Sequence, residues 1–415
     1  MRIKRILTDT IIIIAITCVI IAVIELVVRA AFPEMKDYRK SSRSTVFQYN
    51  EKYLVSLKPN HVQHHTVKKE NGGGTVIWQT NALGFRGEEI DPKNRPRIIV
   101  YGDSNVLARF SQDKDTYPSV LQKILRSNGE NAQVINAGIA GAGPDQSLIR
   151  LADDFDLVKP DMVIFHIFAD NDYGDIIKNR LYKISSNDEL IKTGFPSTVD
   201  EKFTELGPKV SDLFRGLYLQ GAVNYLLSKR KETKENALSK QVKTESTLNE
   251  LEQAAKLGYS IYKSNQPRQL THFSDLYDID IAADPQSESA QVKIKLMEKV
   301  LLAANKFCTE KNVRFIVIVQ PSMLDLTMSP YYIGYQDLAK RYKNYKPTNL
   351  TDPLKQICTK HNLSCVHLID SYRQNDPDTL YLGDGHWNTK GQLLAAEETS
   401  KKIMQLQVAS TTLTK

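Results

Sequence analysis

Five unbroken apolar runs in the sequence predict buried β-strands. They are Arg97–Tyr101, Ala132–Ile135, Met162–Ile167, Val313–Val319 and Ser364–Ile369. The spacing of apolar residues predicts helices between them, over Tyr117–Ser127, Pro144–Phe155, Ser287–Lys311 and Asp352–His361. Strands that are apolar on both faces and alternate with helices are typical of a parallel sheet that helices cover on each side. The pattern therefore predicts an α/β layer fold.

One long interval interrupts this alternation. From about Tyr173 to Pro285 no convincing strand is predicted, and Ser228–Lys256, rich in Lys, Glu, Gln and Ala, predicts an exposed helix. We interpret residues 173–285 as a largely helical insertion that caps the strand ends or offers a surface to partner proteins. Its basic segment, Lys229–Lys243, either faces an anionic polymer or lipid headgroups, or is simply solvated.

An apolar stretch lies near the N-terminus. From Ile11 to Ile24 every residue except Thr17 is apolar, and apolar residues resume after Glu25 up to Val28. The whole stretch is about 18 residues long, just enough to cross a bilayer. Basic residues within the first five positions suit a cytoplasmic N-terminus, although basic residues also follow the stretch. We expect an uncleaved single-pass anchor with the rest of the chain outside the cytoplasm. A cleaved signal peptide is the alternative, against which Glu25 argues.

Composition narrows the class of protein. Hydrophobic residues make up 41% and charged residues 25% of the 415 residues, which excludes a disordered chain and a multi-span membrane protein. Because 55 basic residues face 48 acidic ones, the net charge of +7 is a modest excess and nucleic-acid binding is not expected. Four cysteines without a CxxC pair exclude a disulfide scaffold and a structural zinc site. Cys358 and Cys365 either form a bridge, worth about 2–3 kcal/mol, or remain free buried thiols.

Polar and glycine-rich segments follow the predicted strands. In chain order they are Gly102–Asn105 (GDSN), Asn136–Gly143 (NAGIAGAG), Ala169–Asp172 (ADND) and, near the C-terminus, Asp384–Asn388 (DGHWN). Because reactive groups gather at the carboxyl ends of parallel strands, we expect these segments to meet. A serine, backbone N–H donors, a histidine and a carboxylate are the groups that acyl transfer needs.

The order of these four segments resembles the SGNH, or GDSL-like, hydrolase superfamily. Leu83–Arg86 (LGFR), Asp115–Pro118 (DTYP) and Gly143–Gln146 (GPDQ) are similar to a membrane-anchored bacterial branch of it. The resemblance covers about residues 97–173 and 287–403. It implies a flavodoxin-like three-layer α/β/α fold and an activity among esterases, lipases and carbohydrate O-acyl hydrolases or transferases.

The resemblance also implies a role for each residue of the site. Ser104 would be the nucleophile, and its N–H, the N–H of Gly141 and the side-chain amide of Asn171 would form the oxyanion hole. His386 would take the proton from Ser104, and Asp384 would orient His386. The family commonly has its carboxylate three residues before the histidine, where this chain has glycine. If Asp384 does not reach, we expect a Ser104–His386 dyad of weaker activity.

Each of these roles has a structural alternative. Ser104 can be a helix N-cap, His386 a surface histidine and Asn171 an ordinary loop residue. His166, inside the third strand, is interpreted as structural. Trp387 is expected either to shape the acyl pocket or to fill the core. Without a cofactor motif, and with histidines 61, 64 and 65 lacking suitable neighbours, we predict neither a cofactor nor a metal site.

These patterns divide the chain into an anchor at residues 1–32, a lead-in segment at 33–95, a catalytic domain at 96–172 and 286–408, and the insertion at 173–285. We predict a membrane-anchored serine esterase that acts on an O-acyl ester, most simply O-acetyl, of a cell-envelope carbohydrate or lipid. One alternative is an O-acyltransferase to a polysaccharide hydroxyl, and another is a catalytically inactive envelope binding or assembly protein. The expected partners are the acylated substrate, the membrane and proteins at the insertion.

Overall fold

The computed structural model describes residues 2–33, 35, 46–67, 72–193, 217–223, 225–227, 240–264, 278–326, 335–383 and 385–413. The chain separates into two compact units. One comprises Met1–Thr45, His65–Thr75 and Leu206–Ser239, and the other comprises Val46–His64, Val76–Glu205 and Lys240–Lys415.

In the first unit, Arg2–Ala31 forms one helix, α1. Its segment Thr8–Ala31 has a mean hydropathy of 3.2 and is long and apolar enough to cross a membrane. The segment is almost entirely exposed, so α1 is not the core helix of a soluble domain. A signal sequence near an N-terminus also satisfies this criterion of length and hydropathy.

The second unit is built on a five-stranded parallel sheet. Three short pairs of strands lie outside the main sheet. The pairs β1 (Phe47–Asn50) with β2 (Leu54–Leu57) and β8 (Tyr182–Ile184) with β9 (Leu190–Lys192) are antiparallel, and β3 (Val62–Thr66) pairs with β4 (Thr75–Gln79). The strands of the main sheet are β5 (Arg97–Gly102), β6 (Gln133–Gly138), β7 (Met162–Phe168), β10 (Arg314–Gln320) and β11 (Cys365–His367). Their order is β11-β10-β7-β5-β6, with every neighbouring pair parallel. Numbered along the chain, this is the 2-1-3-4-5 order of flavodoxin-like sheets, so the strand order reverses between β5 and β7.

Helices cover both faces of the sheet. They are α2 (Ser104–Leu107), α3 (Tyr117–Ser127), α4 (Pro144–Val158), α5 (Asp172–Asn179), α6 (Lys240–Lys263), α7 (Ile279–Ala283), α8 (Glu288–Glu310), α9 (Tyr335–Arg341), α10 (Asp352–Lys360), α11 (Ile369–Gln374) and α12 (Thr389–Leu413). Alternate strand residues enter two separate cores, because successive side chains of a strand point to opposite faces. Ile99 and Phe165 pack with α4 and α8, whereas Ile98 and Ile164 pack with α3 and α12. The predicted three-layer α/β/α fold is confirmed.

Caps explain why two helices begin where the sequence predicts. The Thr116 side chain accepts the N–H of Ser119 at the start of α3, and Pro118 occupies the second helical position, where its missing N–H costs nothing. The Ser287 side chain accepts the N–H of Ala290 at the start of α8. Both capping residues keep an extended backbone, as N-caps do.

The interval between β7 and β10 differs from its prediction in two ways. The expectation of no strand was wrong, because β8 and β9 form a hairpin of two three-residue strands, too short to leave a periodic signal. The helix expected over 228–256 is described only from Lys240, as α6, and it is not fully exposed. Leu248, Leu251, Ala255 and Tyr259 recur at helical spacing and are buried in the core. Its charged composition concealed this single apolar face.

Cys358, in α10, and Cys365, at the start of β11, form a disulfide with their Cα atoms 6.2 Å apart. Of the two alternatives open from the sequence, the structure has the bridge. It ties the end of a covering helix to the edge strand of the sheet.

Candidate active site

Ser104 lies at the first position of α2, directly after β5. Asp103 is the N-cap of this one-turn helix, and its carboxylate accepts the N–H of Asn105 at 2.8 Å. The alternative in which Ser104 is the cap was therefore wrong, since its neighbour fills that position. The Oγ of Ser104 lies 2.8 Å from the Nε2 of His386.

This contact joins a potential nucleophile to a potential base. When the imidazole is neutral and its Nε2 carries no proton, the hydroxyl of Ser104 donates the hydrogen bond. The imidazole of His386 is then placed to take the hydroxyl proton as the oxygen attacks a carbonyl carbon. Both residues are half-buried, so the pair is shielded by protein yet open to a ligand.

Asn105 holds the loop of His386 against the turn of Ser104. Its Oδ1 accepts the N–H of Trp387 at 3.1 Å, and its backbone carbonyl accepts Nε2 of Gln392 at 3.2 Å. Asn105 is buried, so both bonds are protected from water. The sequence places Asn105 in the GDSN segment but contains no signal of a link to residues so far along the chain.

The loop that carries His386 turns at Gly385. The φ angle of Gly385 is +87°, and a Cβ there would lie 2.8 Å from the Sδ of Met323. The left-handed backbone favours glycine at this position. On its other side the imidazole meets Phe110, whose ring packs edge-on with the centroids 5.3 Å apart. Sequence reasoning identified neither Met323 nor Phe110.

Arg86 fixes the far end of α2. Its buried guanidinium donates to the carbonyls of Leu107, Ala108 and Ser111, the last two at 2.7 Å, and it pairs with Asp113 at 2.8 Å. Leu107 is the last residue of α2, Ala108 is its C-cap, and Ser111 follows in the chain. A planar five-donor group can satisfy several such carbonyls at once. Arg86 was part of the LGFR segment, but its contact with α2 could not be read from the sequence.

The glycine-rich segment divides between packing and the site. A Cβ on Gly138 would lie 2.3 Å from the backbone nitrogen of Leu107, so this glycine lets α2 pack directly on β6. Gly141 lies further on in the loop, with φ of +71°. Asn171 lies three residues after the end of β7, where it is the buried N-cap of α5.

The structure therefore brings Ser104 and His386 together and positions Gly141 and Asn171 after the two strands that flank β5. This is the edge at which the strand order reverses, the usual place for a ligand in such sheets. The roles of Gly141 and Asn171 in an oxyanion hole stay predictions. Asp384 lies outside the described residues, and its role also stays a prediction.

His166 lies next to the turn that leads from β5 to Ser104. Its Nε2 is 2.8 Å from Oε1 of Gln320, and its Nδ1 is 3.8 Å from Oδ1 of Asp103. Burial lowers the pKa of His166, so the ring is neutral and the contact with Asp103 is not an ion pair. Trp387 packs edge-on against His166 with centroids 4.9 Å apart and is 1% exposed. Trp387 thus packs in the core, which is one of the two roles expected of it.

Burial also controls the carboxyl group next to Asn171. Burial, followed by the nearby charge of Asp103, raises the pKa of Asp172 well above its usual range. Oδ2 of Asp172 accepts the N–H of Phe168 at 2.7 Å, which fixes the start of α5. This end of the sheet therefore holds a carboxyl group that tends to be neutral.

One group of potential metal ligands occurs among the described residues. It consists of Cys358, Cys365 and His367. The two sulfur atoms are joined in the disulfide, so they are not thiolate ligands in this structure.

No family model matches the sequence, and none of the curated proteins matches it. Several solved structures are similar in fold. The psychrotrophic esterase EstA from Pseudoalteromonas sp. is 13% identical, with a TM-score of 0.35 over 75% of this chain and 98% of that chain. The acetylxylan esterase Axe2 from Geobacillus stearothermophilus, solved as a catalytic mutant, is 10% identical, with a TM-score of 0.36 over 76% and 96% of the two chains.

A lipase/acylhydrolase from Enterococcus faecalis is 12% identical, with a TM-score of 0.36 over 74% of this chain and 94% of that chain. At these identities the similarity concerns the fold alone. The function of this chain therefore has to be derived from its own residues.

Proposed function

We propose that this protein is a serine esterase that cleaves O-acyl esters through an acyl-serine intermediate. The observation that supports the proposal most strongly is the 2.8 Å contact between Ser104 Oγ and His386 Nε2. It lies after β5 at the reversal of strand order, where ligands of parallel sheets bind. A serine with a base within hydrogen-bond reach is the minimal equipment for nucleophilic acyl transfer.

In the proposed reaction, Ser104 Oγ forms a bond to the ester carbonyl carbon while His386 Nε2 accepts the hydroxyl proton. The carbonyl oxygen becomes an oxyanion, for which the N–H groups of Ser104 and Gly141 and the amide of Asn171 are the candidate donors. When the tetrahedral intermediate collapses, the bond to the alcohol oxygen breaks and His386 returns the proton to that oxygen. Asp384 would orient the imidazole and stabilise its protonated form.

Water then repeats the sequence on the acyl-serine. His386 takes a proton from water, the hydroxide oxygen attacks the acyl carbon, and Ser104 leaves with the proton from the imidazole. The acid product contains the acyl group of the original ester. An acceptor sugar hydroxyl in place of water would give an O-acyltransferase with the same residues, and product analysis with a glycan acceptor separates the two outcomes.

We further propose that α1 anchors the protein in a membrane and that the catalytic unit lies outside the cytoplasm. The exposed apolar surface of α1 supports the anchor, since side chains of this kind are stable in hydrocarbon. The Cys358–Cys365 bridge supports the compartment, because disulfides persist in oxidising surroundings. The substrate class that fits is an O-acylated, most simply O-acetylated, glycan or lipid of the cell envelope. A C-terminal reporter that is active only in the cytoplasm should be inactive, and an active one would contradict the topology.

The enzymatic proposal is tested by Ser104→Ala. Hydrolysis of an aryl acetate should fall by about 10³-fold or more, and covalent labelling by a fluorophosphonate should disappear. Ser287→Ala is the matched control, because Ser287 also stands at a helix start but serves only as a cap. It should retain both turnover and labelling. Equal labelling of the wild type and Ser104→Ala would contradict the proposal and favour a non-catalytic binding protein.

A further inference from the structure

Glu25 is the acidic residue that interrupts the apolar stretch of α1. It is 8% exposed, and its carboxylate accepts the backbone N–H groups of Tyr218 and Leu219 at 3.0 and 2.9 Å. Arg29 donates to the same carboxylate at 3.0 Å. A charged group inside a membrane helix is costly unless it is paired, and here three donors satisfy it. Through these hydrogen bonds Glu25 contacts the beginning of a second segment, residues 217–227, which belongs to the same compact unit.

This second segment is largely apolar, and three of its apolar side chains are exposed. Its sequence is LYLQGAVNYLL, and residues 218–223 and 225–227 are helical. Val223, Leu226 and Leu227 are 48%, 65% and 58% exposed, which means that nothing in the described part of the chain covers them. They are spaced by three and four residues, so they share one face of the helix. Leu26 of α1, next to Glu25, is exposed to the same degree, at 65%.

The position of Glu25 along α1 fits an interfacial depth. It precedes Val28, the last residue of the apolar run, by three residues, which at about 1.5 Å per residue is about 4.5 Å. Amphipathic helices in the plane of a bilayer lie about 5–10 Å into the boundary between headgroups and acyl chains. Arg29 lies over the ring of Tyr218 at 4.9 Å, and both residue types favour the interface. In the sequence, basic residues follow directly at 229–231, as suits anionic headgroups.

We propose that the helical residues 218–223 and 225–227 form a second membrane contact at the interface, in which Val223, Leu226 and Leu227 face the acyl chains and which the hydrogen bonds of Glu25 hold to α1. The occupant of this apolar face is lipid, because the face continues from a helix whose surface is itself suited to hydrocarbon. This inference rests on the proposed anchoring by α1. It does not depend on the catalytic proposal.

The test uses the full chain in vesicles of phosphatidylcholine and phosphatidylglycerol that contain doxyl-labelled lipid. In a Cys18→Ser background, Leu226→Cys is labelled with an environment-sensitive NBD fluorophore and its quenching by the lipid is measured. Ile16→Cys in α1 is the membrane control and Leu393→Cys in α12 is the aqueous control, both at exposed positions. The proposal predicts strong quenching at 226 and 16 and none at 393.

Quenching at position 16 without quenching at position 226 would overturn this inference alone. The same conclusion holds if the label at 226 has a blue-shifted emission but is not quenched, because protein and not lipid would then cover this face. Absence of quenching at both positions would overturn the anchor itself. The role of Glu25 in holding the second segment is tested by Glu25→Ala. This substitution should abolish most of the quenching at position 226 and leave the quenching at position 16 unchanged. Glu25→Gln keeps a carbonyl oxygen as acceptor and should retain part of the quenching at position 226. Unchanged quenching at 226 in Glu25→Ala would show that Glu25 does not hold the segment.

Discussion

The substitution Asn105→Ala tests whether the loop of His386 is held by the side chain next to Ser104. In the wild type, Oδ1 of Asn105 accepts the N–H of Trp387 at 3.1 Å in a buried setting. Alanine leaves this N–H without its partner, and an unsatisfied buried donor costs about 1–3 kcal/mol. The bond between the Asn105 carbonyl and Gln392 is unaffected, because it uses the backbone.

The effect on catalysis should exceed the effect on stability. The Asn105 bond lies one residue from the imidazole, so its loss allows the ring to move relative to Ser104. A displacement of about 1 Å at a reacting group can cost about 10²-fold in rate. We therefore expect kcat for an aryl acetate to fall by about 10- to 100-fold. KM should stay nearly constant, since no substrate contact is removed.

Asn349→Ala is the matched control for this experiment. Asn349 is also a buried asparagine, with Nδ2 donating to the carbonyls of Ala282 and Asn344 at 2.8 and 3.0 Å. Its substitution should lower the free energy of unfolding by a comparable amount and leave kcat unchanged. The reasoning fails if Asn105→Ala loses stability but keeps kcat within about twofold of the wild type, well short of the expected loss. It also fails if both variants lose kcat equally.

Three further perturbations have expected outcomes. Phe110→Ala removes the ring that packs on His386, a contact worth about 0.5–1.5 kcal/mol. The value of kcat/KM should therefore fall severalfold, with little change in the unfolding temperature. A larger loss of stability than of activity would contradict this expectation. Burial raises the pKa of Asp145 to about 7. The wild type should therefore lose stability as pH rises from about 4 to 7. In urea titrations over this range, the free energy of unfolding of Asp145→Asn should rise relative to that of the wild type by up to about 4 kcal/mol. The opposite slope would refute the assignment. Replacing Cys358 and Cys365 together by alanine should lower the free energy of unfolding by about 2 kcal/mol, since the closed loop is short. Ester hydrolysis should be unchanged. A loss of hydrolysis would show that the disulfide supports the site.

The layers of the fold could be predicted because their patterns are strong and local. All five predicted strands are strands of one sheet, since each is apolar on both faces and short enough to exclude a buried helix. Helix α3 begins and ends as predicted, because Thr116 and Pro118 define its start. The hairpin of β8 and β9 lacked any such pattern.

Buried polar groups marked a second limit of prediction from the sequence. Lys293 lies in α8, where a lysine ordinarily indicates an exposed position, yet it is fully buried. Its Nζ is 2.7 Å from carboxylate oxygens of both Asp278 and Asp280. Such an arrangement depends on how α7 and α8 pack, and the composition of either helix alone does not reveal it.

The candidate site was predictable in its components and less so in its construction. Ser104 and His386 could be named because their segments resemble those of a known superfamily. The groups that hold them, Asn105, Arg86 and Phe110, act through contacts between distant parts of the chain. Asn105 and Arg86 bond to backbone groups of their partners. Because every residue has such groups, the sequence does not show which residue is the partner.

The central claim is that Ser104 and His386 act as one unit on an ester, and a double-mutant cycle tests it most directly. The assay is kcat for hydrolysis of an aryl acetate by the wild type, Ser104→Ala, His386→Ala and the double variant, each confirmed as folded by circular dichroism. If the two residues act together, the double variant should lose about as much activity as either single variant, because removing one already disables the other. Losses that multiply in the double variant would show that the two residues act independently and would contradict the account.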